Sequence, residues 1–228
     1  MLEKYKANHP GKSKFVSIVM FCFSYLYSKI RYKIHLEGTE NIVKSGPVLL
    51  LAKHQRIDDV ILGYNVLYHY ARKDLWAVMK DALAAWYFFG FFLRCGGLPI
   101  NRNNPEKSKE YLLLGRKVLH EGRMVVIFPE QTVFPGRMGR GRTPGFRFVA
   151  GRPKEPVSVN VIGFRYKKAF PRTEVFMRIG KSCQYDIHDD PEDFLHERMH
   201  EMAELSLLTY PFKKPEKEKG VSAPPASH

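Results

Sequence analysis

The stretch LLLAKHQRIDDVILGY (residues 49–64) joins two apolar segments through a short polar one. The first segment predicts a buried strand over residues 47–52. The second predicts a helix over residues 58–71 with two acidic residues in its first turn, where negative charge is favourable. His54 therefore lies just past a buried strand, which is where α/β folds place their reactive groups.

The alternation of apolar strands and helices continues along the chain. Further strands are expected over residues 75–80, 98–101, 124–129, 156–164 and 174–180, and further helices over residues 81–96, 104–122 and 190–209. Such an order is typical of an α/β fold, here a single layered domain with a largely parallel sheet flanked by helices. We expect this domain to span residues 34–210, and the Pro- and Lys-rich residues 211–228 to form a disordered tail.

The chain has 37 basic and 23 acidic side chains, a formal net charge of +14. This excess indicates an anionic partner, either an anionic membrane surface or nucleic acid, although a solvated basic surface would give the same count. The sequence contains no RNP-like aromatic block, zinc-finger spacing or basic helix with heptads, which disfavours a non-catalytic protein that binds nucleic acid. The three cysteines are far apart and form no CxxC pair, as is typical of a reducing compartment.

The most apolar segment near the N-terminus is FVSIVMFCFSYLY (residues 15–27), with basic residues on both sides. It is shorter than the roughly 20 residues that a spanning helix needs, and no small-residue cleavage site of a signal peptide follows it. We expect residues 1–33 to form a basic, aromatic membrane-docking segment with a helix in the bilayer interface. A buried core helix is the alternative interpretation.

Asp59 follows His54 by five residues, a spacing that would put the two side chains on different faces of one continuous helix. A loop between the strand and the helix can instead fold the imidazole towards the carboxylate. A carboxylate on one ring nitrogen would fix the tautomer and leave the other nitrogen as a base. The same residues are also compatible with an ordinary helix start, because Asp is a preferred residue there.

Four sequence blocks, in order, resemble the motifs of the glycerolipid acyltransferases, the family of the lysophosphatidic acid (1-acyl-glycerol-3-phosphate) acyltransferases. The stretch KHQRIDD resembles the H-x4-D motif, and GGLPINRNN (96–104) resembles the second motif, which ends in an arginine, here Arg102. VIFPEQT (126–132) resembles the third motif, usually Phe-Pro-Glu-Gly-Thr, and EPVSVNVIG (155–163) resembles the fourth, a proline that opens a strand. The resemblance covers about residues 34–180.

The resemblance implies an O-acyltransferase that moves a fatty acyl group from a thioester donor, acyl-CoA or acyl carrier protein, to the hydroxyl of a lysophospholipid or related lipid. His54 would be the general base and Asp59 its orienting partner. Arg102 would hold the phosphate of the acceptor. The same acceptor pocket would be lined by Glu130, Gln131 and Thr132. No metal or other cofactor is implied, and the enzyme would act at the cytoplasmic face of a membrane as a peripheral or monotopic protein.

Two positions depart from the third motif of the family: Gln131 replaces its glycine, and Val133 replaces the arginine that often follows the threonine. A close backbone approach and one phosphate contact are therefore in question. The segment RMGRGRTPGFRFVAGRPK (137–154) contains six basic residues and no acid, and its glycines suggest a mobile loop. Candidates for headgroup or membrane contact in this segment are Arg137, Arg140 and Arg142.

The sequence HERMH (residues 196–200) matches the H-E-x-x-H pattern of zinc metalloproteases. On a helix, His196 and His200 share a face and could bind zinc, with Glu197 as the base. The extended metzincin pattern, which would add a third ligand, is absent. A solvated helix face explains these residues equally well, so a metalloprotease is an alternative function and not the expected one.

Overall fold

The computed structural model describes residues 9–101 and 104–214 of the chain. Its strands are β1 (Tyr32–Glu37), β2 (Val48–Ala52), β3 (Leu75–Lys80), β4 (Gly97–Ile100), β5 (Met124–Ile127), β6 (Val157–Lys167), β7 (Thr173–Ile179) and β8 (Cys183–Tyr185). Its α-helices are α1 (Lys14–Arg31), α2 (Asp58–Tyr70), α3 (Phe91–Arg94), α4 (Pro105–His120), α5 (Thr143–Ala150) and α6 (Pro191–Ser206). Residues 215–228, most of the predicted tail, lie outside the described residues.

The strands form one mixed, mostly parallel sheet in the order β1-β7-β6-β2-β5-β3-β4. Strand β2 lies between β6 and β5 and is parallel to both, and β3 and β4 continue the sheet in the same direction. Strands β6 and β7 form an antiparallel hairpin, β8 pairs with the first part of β6, and β1 pairs parallel to β7. The predicted α/β fold with a largely parallel sheet is therefore confirmed.

Helices cover both faces of this sheet and divide its side chains between two cores. On one face, Leu49 and Leu51 of β2 pack in a cluster with residues of α4, α5 and α6, including Met199. On the other face, Leu50 packs in a cluster with residues of α2, including Leu62. Because both faces are covered, all five residues of β2 are buried, which explains the continuous apolar run in the sequence.

The start of helix α6 follows the local signals in the sequence. Asp190 is its N-cap, and the carboxylate accepts hydrogen bonds from the backbone N–H groups of Glu192 and Asp193. Pro191 occupies the first turn, where its missing N–H costs nothing. The observed start agrees with the predicted one, because these interactions lie within a few residues of sequence.

The predicted helix over residues 81–96 is wrong. Two short 3-10 turns, Asp81–Ala84 and Trp86–Phe88, and the four-residue helix α3 take its place. Between the second 3-10 turn and α3, Phe89 and Gly90 have φ angles of 49° and 69°. These left-handed conformations cannot belong to an α-helix, so the chain must break there despite its apolar composition.

The segment 137–154, predicted as a mobile loop, contains the helix α5. The helix ends at Gly151, whose φ of 69° is easily reached only by glycine. Phe146 on α5 is fully buried, and Met138 ahead of the helix is also buried. The segment thus packs against the domain, since its apolar residues supply part of the core despite its high charge.

Helix α1 packs on α2 and exposes several large apolar side chains. Its buried residues are Ser17, Met20, Ser24 and Ser28. Its exposed apolar residues are Phe15, Ile18, Val19, Phe23, Tyr25, Leu26 and Ile30. Strand β1 begins at the next residue, so the sheet starts within the predicted docking segment. Residues 1–8 lie outside the described part of the chain, and in the part described no helix is long and apolar enough to cross a bilayer.

Candidate active site

The candidate site residues lie at the carboxyl edge of the parallel strands. His54 follows the end of β2 by two residues, and Glu130 follows the end of β5 by three. Strands β2 and β5 are parallel neighbours, with Leu51 opposite Ile127 at their last paired positions. The two strand–loop segments therefore meet at the same edge, which is where open α/β sheets bind ligands.

His54 and Asp59 face each other across the loop that joins β2 to α2. His54 Nδ1 lies 3.4 Å from Asp59 Oδ2. The same carboxylate oxygen accepts hydrogen bonds from the backbone N–H groups of Gln55, at 2.5 Å, and Arg56, at 2.6 Å. Asp59 has no solvent exposure, so its charge depends on these donors. The loop between β2 and α2 folds the imidazole towards the carboxylate, because the two residues do not lie on one continuous helix.

Asp58, the neighbouring carboxylate, has a different environment. Its Oδ1 accepts a hydrogen bond from the Tyr27 hydroxyl of α1 at 2.5 Å, and its Oδ2 lies 3.6 Å from the Arg56 guanidinium. Asp58 thus connects α1 to the start of α2. The geometry assigns the partnership with His54 to Asp59.

Tyr166 is a site residue that sequence reasoning missed. Its hydroxyl donates a hydrogen bond of 2.5 Å to Asp59 Oδ1, the carboxylate oxygen that does not face His54. Burial and the adjacent Asp59 charge raise the pKa of Tyr166 well above its usual value, so the hydroxyl stays a donor. Tyr166 lies near the end of β6, 107 residues from Asp59. No local pattern in the sequence connects the two positions.

A buried ion pair between Lys53 and Glu130 holds the backbone at His54 in place. Lys53 Nζ lies 2.9 Å from both carboxylate oxygens of Glu130, and neither side chain has any solvent exposure. Glu130 also accepts hydrogen bonds from the backbone N–H groups of His54, at 2.9 Å, and Gly139, at 2.6 Å. Burial lowers the pKa of Lys53, and the Glu130 charge acts in the opposite direction. Because its carboxylate accepts four hydrogen bonds from the protein, Glu130 positions the loop that carries His54. The expected contact of Glu130 with the acceptor stays a prediction.

Gln131 occupies a backbone conformation that suits the glycine of the family motif. Its φ is 62°, in the left-handed region that side chains with a Cβ disfavour. Its N–H donates to the carbonyl of Phe128 at 2.9 Å, which closes a turn over Pro129 and Glu130. The turn of the motif is thus kept although the glycine is not. Thr132 beyond it is exposed.

A narrow apolar cavity of about 110 Å³ lies beside the His54–Asp59 pair. It is lined by Asp59 and Phe128 at the carboxyl edge of the sheet and by Leu75 at the amino end of β3. The Phe128 ring also contacts the imidazole of His54, with ring centroids 4.6 Å apart. Helices α1, α2 and α3 contribute Met20, Leu67 and Phe92. The cavity thus extends from the polar pair into the interior between the sheet and these helices.

A family model described as acyltransferase matches residues 33–162, more than half of the chain. The chain belongs to the acyltransferase family. Its fold resembles the crystal structure of the 1-acyl-sn-glycerophosphate (LPA) acyltransferase PlsC from Thermotoga maritima, with a TM-score of 0.59 and 18% sequence identity. That similarity covers 82% of this chain and 77% of the other. A comparison with curated proteins found no match. The matched residues of this acyltransferase include His54, Asp59 and Glu130.

The arginines that the sequence singled out in this acyltransferase are not all described. Arg102 lies outside the described residues, and its predicted contact with a phosphate stays a prediction. Arg137, Arg140 and Arg142 are exposed. The Arg137 guanidinium lies 5.4 Å from the ring centroid of Phe134, whose N–H donates to the carbonyl of His54.

The HERMH residues lie on α6 of this acyltransferase. His196 Nε2 and His200 Nε2 are 3.2 Å apart, and both rings contact Tyr210. Within residues 9–101 and 104–214, no group of three or more His, Cys, Asp or Glu side chains is placed to hold a metal ion. The pair therefore has no third ligand in the described part of the chain, and its contacts are those of a helix packed against the C-terminal segment.

Proposed function

We propose that this acyltransferase moves a fatty acyl group from an acyl thioester, acyl-CoA or acyl carrier protein, to the hydroxyl of a lysophospholipid or a similar amphiphilic lipid. The observation that carries the proposal is the His54–Asp59 pair beside an apolar cavity. A base is needed to activate the hydroxyl, and an apolar cavity suits a fatty acyl chain.

In the proposed reaction His54 takes the proton from the acceptor hydroxyl. Within the described residues, His54 Nε2 has no hydrogen-bond partner, while Nδ1 faces Asp59. Nε2 is therefore the nitrogen available to the substrate, and Asp59 stabilises the imidazolium that forms. The hydroxyl oxygen then attacks the thioester carbonyl, the carbon–sulfur bond breaks, and the departing thiolate recovers the proton from His54. No acyl-enzyme intermediate is needed.

The acyl chain is assigned to the apolar cavity because its described lining is almost entirely hydrocarbon and aromatic. Arg102 is proposed to hold the acceptor's phosphate, by resemblance to the second family motif. Gln131 and Thr132 are proposed to contact the same acceptor, and the exposed Arg137, Arg140 and Arg142 to contact headgroups.

Docking at an anionic membrane surface, on its cytoplasmic side, is part of the proposal. The exposed face of α1 carries large apolar side chains, and its last turn carries Lys29 and Arg31. An exposed apolar helix face with basic residues is typical of proteins that bind in the bilayer interface. Substitution tests this better than deletion of residues 1–33, because Tyr32 and Lys33 pair with β7. We expect Phe23→Ser with Leu26→Ser to weaken co-sedimentation with anionic vesicles.

The reaction is tested by mass spectrometry of lipids after incubating the full chain with a panel of lysolipids and both donor types. His54→Ala should lower turnover by a factor of about 10² to 10⁴, the usual effect of losing a general base. His69→Ala, at the exposed end of α2, is the matched control and should keep its activity. A folded His54→Ala protein with near wild-type turnover would exclude the mechanism.

The metalloprotease alternative has its own test. We expect the double variant His196→Ala with His200→Ala to keep acyl transfer within about threefold of wild type, as is usual for surface substitutions. Metal content is measured on the same samples. Loss of a stoichiometric metal together with activity would show that the α6 pair takes part in the chemistry.

A further inference from the structure

We propose that the turn between β6 and β7 (residues 168–172), called here the β6–β7 turn, is a second membrane contact that inserts Phe170 into an anionic lipid surface. This inference rests on the proposed function, because it names a further part of the surface that would meet the bilayer. It concerns a segment for which the sequence motifs assign no role.

Phe170 is 98% exposed, more than any other large apolar side chain in the described part of the chain. An exposed aromatic ring adds nothing to the packing of the core. Exposed aromatic side chains are typical of surfaces that bind in the membrane interface. Three exposed basic residues lie within three positions of it: Lys167, Lys168 and Arg172. An apolar tip surrounded by positive charge is complementary to a surface that is negatively charged outside and apolar below.

The β6–β7 turn projects from the edge of the sheet that holds the catalytic pair. Ala52, the last residue of β2, lies opposite Ile162 of β6 in the parallel ladder. Strand β6 continues for five more residues to Lys167. At about 3.3 Å per residue, its end lies roughly 16 Å beyond the end of β2. A membrane that touches Phe170 would therefore face the edge where His54 lies.

The β6–β7 turn is continuous with the end of α1. The Arg172 guanidinium donates a hydrogen bond of 2.9 Å to the carbonyl of Lys29. Next to Lys29, Ile30 is an exposed apolar residue of α1, and Arg31 adds another positive charge. The turn and the helix end thus form one surface on which apolar side chains project among basic ones.

A cleft connects this surface to the catalytic loop. It has a volume of about 770 Å³ and is lined by Arg56 and Ile57 on one side and by Arg165, Tyr166 and Lys168 on the other. Tyr166 is the residue that donates to Asp59. A bilayer in contact with the β6–β7 turn would border this cleft, so an amphiphilic substrate could approach the His54–Asp59 pair without crossing bulk water.

An acidic carrier protein is a second partner that a basic, aromatic surface could bind. The continuity of the β6–β7 turn with the exposed apolar face of α1 favours the membrane, because a lipid surface can contact both at once. The experiment below separates the two partners.

The test uses the full chain in vesicle co-sedimentation, with phosphatidylglycerol-containing vesicles and neutral phosphatidylcholine vesicles. Lys168→Glu should weaken binding to the anionic vesicles at least about fivefold, the contribution of one basic residue at such a surface. Phe170→Ala should weaken binding about five- to tenfold, through loss of buried apolar area. The matched controls are Lys154→Glu and Ile187→Ala, exposed positions around the cleft at the opposite edge of the sheet. Both controls should bind as wild type.

Activity on a short-chain, water-soluble acceptor with acyl-CoA should be unchanged in Phe170→Ala, because Phe170 does not line the cleft. Unchanged vesicle binding in both variants overturns the proposal, and so does an equal loss of activity on the soluble acceptor. Loss of carrier-protein-dependent activity alone, with vesicle binding intact, would assign the β6–β7 turn to the carrier protein. If the α1 variant Phe23→Ser with Leu26→Ser also binds vesicles normally, the proposed membrane docking itself fails.

Discussion

Tyr166→Phe is the substitution that best tests how the proposed catalytic pair, His54 and Asp59, is positioned. The change removes only the hydroxyl that donates to Asp59 Oδ1. The ring, and the Arg56 guanidinium that lies 5.0 Å from its centroid, stay in place. Asp59 keeps the backbone donors of Gln55 and Arg56, so the loop is expected to fold.

The size of the effect follows from the burial of Asp59. A hydrogen bond to a charged, buried group contributes about 1.5–3 kcal/mol, and the free energy of unfolding should fall by that amount. Without this donor the Asp59 carboxylate is held less firmly, so its contact with His54 Nδ1 should be less well positioned. Turnover should fall about tenfold, equivalent to 1.4 kcal/mol, while KM changes little, because Tyr166 acts through Asp59.

The assays are urea denaturation and steady-state acyl transfer, with kcat and KM determined separately. Tyr70→Phe is the matched control, because Tyr70 is an exposed residue at the end of α2. It should match wild type in both assays. A Tyr166→Phe enzyme with wild-type stability and wild-type turnover would refute the assignment of Tyr166 as a positioning residue.

Three further predictions follow from the same site. Asp59→Asn should reduce turnover severely, whereas Asp58→Asn should be mild because an amide oxygen still accepts the hydrogen bond from α1; the reverse ranking would give His54 the other partner. Gln131→Gly should leave the free energy of unfolding, measured by urea denaturation, unchanged or raise it by up to about 1 kcal/mol. Glycine relieves the strain of the left-handed φ, but it also increases the entropy of the unfolded chain. A clear destabilisation would contradict this. Lys53→Met should lower the free energy of unfolding by about 3–5 kcal/mol, because it leaves Glu130 charged and buried. The double variant Lys53→Met with Glu130→Gln should lower it by less than the sum of the two single changes.

The sequence by itself determined the elements whose causes are local. The apolar run of β2, the acidic first turn of α2 and the Asp190–Pro191 start of α6 all lie where their residues predicted them. Each depends on interactions within a few residues or on burial of one continuous run. The position of His54 at the end of a strand, with Asp59 within reach across a loop, was readable for the same reason.

Only the tertiary structure decided what surrounds that pair. Tyr166 reaches Asp59, and Glu130 reaches Lys53, because β6 and β5 are the two neighbours of β2 in the sheet. Strand order is set by the packing of the whole domain, and no periodicity along the chain encodes it. The burial of α5 also depends on tertiary packing, which overrides the local preference of a charged segment. The sequence therefore located His54 and Asp59, the proposed reacting groups, and the order of the strands in the sheet decided which residues hold them.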